Sequence, residues 1–186
     1  MKKLWFLWVF LLLLAGCGPN NTEIERAMTL RGRILQGQQC AFDVNITADY
    51  GDKLHQFGVS CQGDSQGNLT FTVNTPESIA GITGKISDTG GKLTFDDTAL
   101  QFDTMADDQI SPVSAPWIFL KTLRSGNLTS AGMEAESLRL SIDDSYEDDA
   151  LHMDIWLDEG DFPQRAEILY EGKRILSLDI KNFQIQ

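Results

Sequence analysis

Basic residues are scarce in this 186-residue chain: 15 Lys and Arg stand against 27 Asp and Glu, a formal charge of −12. Non-specific nucleic-acid binding needs a basic surface, so no nucleic-acid partner is expected. Histidine is scarcer still, with only His55 and His152, well apart in the sequence. A hydrolytic triad needs a histidine base, and both histidines read as strand or surface positions. No Gly-x-Ser-x-Gly, His-Glu-x-x-His or phosphate-loop pattern occurs. The expectation is a protein that is not an enzyme and uses no cofactor. Cysteine is limited to Cys17, Cys40 and Cys61, too few for a disulfide scaffold or a zinc site. The acidic run Asp143-Asp144-Ser145-Tyr146-Glu147-Asp148-Asp149 lacks the ligand spacing and central glycine of a calcium loop. It reads as a solvated hairpin tip, and no metal is expected. There is also no internal repeat.

One long apolar run is present, from Leu4 to Leu14, preceded by Lys2 and Lys3. It is short for a membrane span, which takes roughly 20 apolar residues. Basic, then apolar, then small residues is the layout of an export signal. The closing Leu14-Ala15-Gly16-Cys17 resembles the lipobox of bacterial lipoproteins. That resemblance implies cleavage between Gly16 and Cys17, palmitate-type acylation of the Cys17 thiol, and anchoring on the extracytoplasmic face of the cell membrane. The expected organisation is a signal peptide over 1–16, a lipidated tether over 17–21 and one domain over 22–186. Losing Lys2 and Lys3 takes the charge from −12 to −14. Anionic headgroups repel such a chain, so the lipid itself must anchor it.

The mature sequence begins with a capping box, Thr22 to Glu25. Ile24, Ala27, Met28, Ile34 and Leu35 then recur at helical spacing, predicting a helix over 23–36. From Cys40 the period becomes two: Cys40, Phe42, Val44, Ile46 and Ala48 face one way. Phe57, Val59 and Cys61 do the same on the return strand. A turn centred on Tyr50-Gly51 would set Phe57 opposite Val44, Val59 opposite Phe42 and His55 opposite Ile46. It would also set Cys61 opposite Cys40, close enough for a disulfide; the alternative is two buried free thiols. Strands follow at Leu69–Val73, Leu93–Phe95 and Leu100–Phe102, with a helical turn and a strand within Ile79–Ile86. After Ser111-Pro112, with Ser114 as expected N-cap, a helix over 114–125 is apolar almost all round. It reads as a lid on the concave face of a sheet, or equally as a plain core helix. Four strands close the chain, over 138–142, 151–157, 165–170 and 174–183. For the last hairpin, around Glu171-Gly172, a three-residue connection with a bulge is expected. The class is α+β, built on one large curved antiparallel sheet.

Aromatic residues are the richest feature. Phe42, Phe57, Phe71, Phe95, Phe102 and Trp117 fall at inward positions, with Leu120 beside them on the lid helix. Such residues either line an apolar cavity suited to an acyl chain or fill the core.

The order is helix, long meander, apolar helix after Ser111-Pro112, and a last hairpin ending in Asp179-Ile180-Lys181-Asn182-Phe183. It resembles the LolA/LolB/LppX-like superfamily of lipoprotein carriers and lipoproteins. That resemblance implies a half-barrel of about 10–11 antiparallel strands with an N-terminal helix and a lid helix on the concave face. Asn74-Thr75-Pro76-Glu77-Ser78-Ile79-Ala80-Gly81-Ile82 and Ile110-Ser111-Pro112 look like the lipid-anchored branch of clostridia and related Gram-positive bacteria, which includes the germination lipoprotein GerS. For the carriers the resemblance implies handling of lipid or lipoprotein acyl chains. For the germination lipoproteins it implies binding a partner protein, in one case a cortex-processing amidase. The carriers are soluble shuttles, whereas this chain carries its own lipobox. The first expectation is therefore a non-catalytic, membrane-anchored protein that binds a partner protein in an envelope or germination context. The alternative is a binder of acyl chains.

Overall fold

The computed structural model describes residues 22–51, 53–103, 105–106, 109–147 and 150–186. Gly16, Cys17 and the tether over 17–21 lie outside the described residues. Among those described, no helix is long and apolar enough to cross a membrane.

Helix α1 covers Thr22–Gln36. Six strands follow as a meander: β1 (Gln39–Asp49), β2 (Leu54–Asp64), β3 (Leu69–Thr75), β4 (Thr83–Ser87), β5 (Gly90–Phe95) and β6 (Thr98–Phe102). A two-stranded ribbon, β7 (Met105–Ala106) and β8 (Gln109–Ile110), leads to helix α2 (Ala115–Ser125). A second meander closes the chain: β9 (Asn127–Glu134), β10 (Ser137–Asp143), β11 (His152–Leu157), β12 (Pro163–Tyr170) and β13 (Lys173–Ile185). All but the ribbon belong to one 11-stranded antiparallel sheet, ordered β6-β5-β4-β3-β2-β1-β13-β12-β11-β10-β9. The first and last strands therefore pair at its centre, and each meander runs outward to an open edge. The sheet is a half-barrel, not closed, with both helices on one face.

Hairpin β1–β2 keeps its expected faces but not its expected register. Val44 pairs with Val59, Phe42 with Cys61, Ile46 with Phe57 and Ala48 with His55. The turn closes one residue later than expected: the Tyr50 amide donates to the Lys53 carbonyl, and the Asp49 carboxylate accepts from the Gly51 amide. The pairing slides by two residues, one full strand period, so every side chain stays on its face. Cys40 now stands opposite Gly63. In place of the expected disulfide, Cys40 and Cys61 are two buried free thiols. Burial pushes both thiols above their ordinary range, and the Asp43 charge pushes Cys61 further the same way.

Hairpin β12–β13 turns through Glu171 and Gly172, both at positive φ, as a primed two-residue turn requires. A bulge beside Ile168 and Leu169 then restores the face that sets Ala166 opposite Leu178 and Ile168 opposite Leu176. The shared apolar face expected from the sequence is present, reached by this turn and not by a three-residue loop.

Helix α1 starts at Thr22, whose hydroxyl donates to Glu23 and not to a box with Glu25. It buries Ala27, Leu30 and Ile34, whereas Ile24, Met28 and Leu35 stay exposed. The face is set by arginine anchors: Arg26 pairs with Asp161 at 2.6 Å, Arg33 donates to the Asp161 carbonyl, and Arg33 lies over the Phe162 ring. Strand β9 was absent from the periodicity reading because it is an edge strand with no buried alternation.

A candidate apolar site on the inner face

Register places the inward aromatics in rows that cross the sheet. One row runs Phe42, Cys61, Phe71, Gly84, Leu93, Leu100 from β1 to β6. The next runs Cys40, Gly63, Leu69, Ile86, Gly91, Phe102. Phe57, opposite Ile46, and Phe95, opposite Thr98, lie on the same inner face. Two glycines make room for rings. A Cβ on Gly84 would sit 2.2 Å from the Phe71 ring, and one on Gly91 would sit 2.2 Å from the Phe102 ring. Both rings thus lie flat against the sheet where a larger residue would lift them.

Helix α2 covers part of this face and buries Trp117, Ile118, Phe119, Leu120 and Leu123. Phe42 packs edge-on against Phe119 and stacks on Phe183, both at 5.6 Å between centroids. Leu120 rests directly on the backbone at Gly63. Phe42, Phe71, Trp117 and Leu120 are therefore packed under or within the lid. Polar bonds at the β2–β3 turn hold the helix down. The Trp117 indole donates to the Gly67 carbonyl at 2.9 Å. Arg124 donates to the carbonyls of Asp64 and Ser65 at 2.7 and 2.8 Å. The turn is itself ordered by Asp64, whose carboxylate accepts from Gln66 and Asn68. Burial pushes the Asp64 carboxyl up, but these bonds and the Lys85 charge outweigh it and hold the group below the usual range. From α1, Arg31 donates to the Leu123 carbonyl. Ser114 is the N-cap position, yet its hydroxyl donates back to Ser111 and makes no capping bond.

Beyond the lid, the inner face is uncovered. On β5 and β6, Phe95 is 54% and Leu100 63% exposed, while Leu93, Phe57 and Phe102 are half-buried. A slit of about 260 Å³ opens between the end of α1, helix α2 and the β2–β3 and β4–β5 turns, with Leu35, Gly67, Trp117 and Leu120 on its walls and Asp88, Lys121, Arg124 and Ser125 at its polar edge. The Lys121–Asp88 ion pair, 3.1 Å, bridges lid and wing at this seam.

The histidines lie elsewhere. His55 is exposed opposite Ala48, not Ile46 as expected. His152 sits on the outer face of β10–β11, with Nδ1 2.7 Å from Asp143 and Nε2 3.4 Å from Asp154. The Ser141 hydroxyl beside them donates to Asp154, so no serine–imidazole contact of the kind a nucleophile uses is formed. Asp154 is 4% exposed. Burial pushes its carboxyl up, but hydrogen bonds from Arg139 and Ser141 and the charges of Arg139 and His152 outweigh it and hold it below the usual range. Of the acidic run, Asp144 folds the loop by accepting from the Leu151 amide; Asp148 and Asp149 lie outside the described residues.

No protein-family model matches the chain, and no curated protein matches it. Solved structures of similar outline exist at low identity. An outer membrane lipoprotein-sorting protein domain from Vibrio parahaemolyticus is 8% identical, with 89% of this chain and 92% of that one covered, at a TM-score of 0.47. The Mycobacterium tuberculosis lipoprotein LppX is 13% identical over 87% of this chain and 93% of its own, at 0.43. The Pseudomonas aeruginosa MucA/MucB complex gives 13% identity over 87% of this chain and 57% of that one, at 0.40.

Proposed function

We propose that this chain is a non-catalytic lipoprotein, anchored through Cys17 on the extracytoplasmic face of the membrane, that holds an acyl chain on the uncovered part of its inner face. The carrying observation is the strip of Leu93, Phe95, Leu100 and Phe102, apolar, continuous across two strands and left in solvent. Covering the exposed parts of Phe95 and Leu100 gains about 1 kcal/mol each. The Phe102 ring, laid over Gly91, leaves a smooth floor that suits a flexible, featureless chain. The slit at Leu35, Trp117 and Leu120 offers a continuation under α2. Purification of the full chain from its host followed by native mass spectrometry tests the reading. A bound acyl species, displaced by fatty-acid probes, supports it; an empty protein that takes up no probe removes it.

A partner protein is the second reading. It is favoured by edge strand β6, which pairs only with β5 and leaves ladder groups free to accept a further strand. Recovery of a protein partner from membranes whose binding is blocked by Pro at Ala99 or Gln101, with no lipid in native spectra, favours this reading over the first.

A further inference from the structure

The outer face of the same wing carries a different chemistry. Side chains alternating with the apolar strip form two rows across the strands. One reads Ser60, Thr72, Thr83, Thr94, and the other Gln62, Thr70, Lys85, Lys92, Gln101. They border a groove of about 570 Å³, and Lys85, Lys92 and Gln101 also border a second of about 490 Å³. Lys85 and Lys92 are directly opposed across β4 and β5. Like charges in that position destabilise a sheet. Among the described residues neither ammonium has an ion-pair partner, whereas Arg26, Lys121, Arg139, Arg165 and Arg174 all do. Three carboxylates border the site without closing a bridge to either lysine: Asp43, which accepts from the Ser60 hydroxyl at 2.6 Å, Asp64, which feels the Lys85 charge, and Asp103 at the end of the second groove.

We infer that Lys85 and Lys92 seat a phosphate carried on a polyol or sugar. The phosphate sits between the two ammonium groups, which removes their mutual repulsion, and charge-assisted hydrogen bonds hold it. The hydroxyl-bearing remainder lies along Thr72, Thr83 and Thr94, whose spacing is the strand spacing of about 4.8 Å; the Ser60 hydroxyl at the end of the row is held by Asp43 and Asn74. The rings of Phe71 and Phe102 point to the inner face, so recognition rests on charge and hydroxyl groups, not on stacking against a sugar ring. The chain's formal charge of −12 repels extended polyanions, which selects a single phosphate on a neutral body. The inference is independent of the acyl reading, because it uses the opposite face of the wing.

Titration calorimetry of the full chain in neutral detergent micelles tests it, with glycerol 1-phosphate, inorganic phosphate and glycerol as probes. Both phosphates bind, glycerol does not, and added salt weakens binding. The double variant Lys85→Gln/Lys92→Gln binds at least about tenfold more weakly, while Lys85→Arg/Lys92→Arg retains binding. Without ligand the Gln variant melts at the same temperature or about 1–3 °C higher, since repulsion is relieved; this separates lost binding from lost folding. Absence of phosphate binding, equal binding by the Gln variant, or association only with phosphatidylglycerol vesicles and not with the soluble phosphates overturns the inference.

Discussion

The two flanks of the sheet are built from the same alternating pattern and end in opposite states. On the flank β10–β13, Leu138, Leu140, Ile142, Met153, Ile155, Leu157, Ala166, Ile168, Leu176 and Leu178 are all buried, because both helices pack on this side. On the wing β4–β6 the inner-face residues Phe95 and Leu100 remain in water, because α2 lies over β2 and β10 instead. A period of two states which side chains share a face. It does not state whether anything covers that face. In this protein the difference marks where stability resides and where a ligand fits.

Substitutions on the two flanks separate these roles. The largest effect is expected in the closed flank: Ile155→Ala or Ile168→Ala removes packed atoms at fully buried positions and costs about 2–5 kcal/mol, read as a lower urea midpoint. Next is the outer cluster of that flank. Asp154→Ala leaves Arg139 and Ser141 without their shared acceptor and costs about 1–3 kcal/mol. Because the Asp154 carboxyl is held below its ordinary value of 3.8, its contribution is complete above that pH and disappears as pH falls through the lower, folded value. Asp154→Asn therefore flattens the acid limb of a stability–pH profile and leaves its neutral and alkaline parts parallel to wild type. At the seam, Arg124→Ala frees the Asp64 and Ser65 carbonyls and costs about 1–2 kcal/mol. Hydrogen exchange then accelerates across α2 while β10–β13 stays protected. The smallest stability effect is on the wing: Leu100→Asp changes unfolding free energy by less than about 0.5 kcal/mol yet abolishes fatty-acid probe binding. A wing substitution as costly as Ile155→Ala would erase the contrast.

Much of the closed flank was legible in the sequence. Leu138 to Ile142 and Leu151 to Leu157 alternate without interruption, and the acidic run between them marks the connection. The second helix was legible too, since Trp117 to Leu123 leave almost no polar face, although a lid and a plain core helix read alike. What stayed hidden was set by loops and long-range pairing. The hairpin closes with Tyr50 opposite Lys53, one residue later than a turn centred on Tyr50-Gly51, and this moved Cys40 from Cys61 to Gly63. The central pairing of β1 with β13 joins strands more than a hundred residues apart and leaves no local trace. Of the aromatic set, Phe42, Phe71 and Trp117 went to the packed region and Phe95 to solvent. That division follows where α2 lies, over β2 and β10, not any property of the phenylalanines.

Photo-crosslinking with a diazirine fatty acid, followed by mapping of the modified residues in the full chain, tests the central claim most directly. Labels concentrated on Phe95, Leu100 and Phe102, and lost in Phe95→Asp/Leu100→Asp, are the predicted result. Labelling spread evenly over the surface, or confined to β9–β13 and unchanged in that variant, contradicts it.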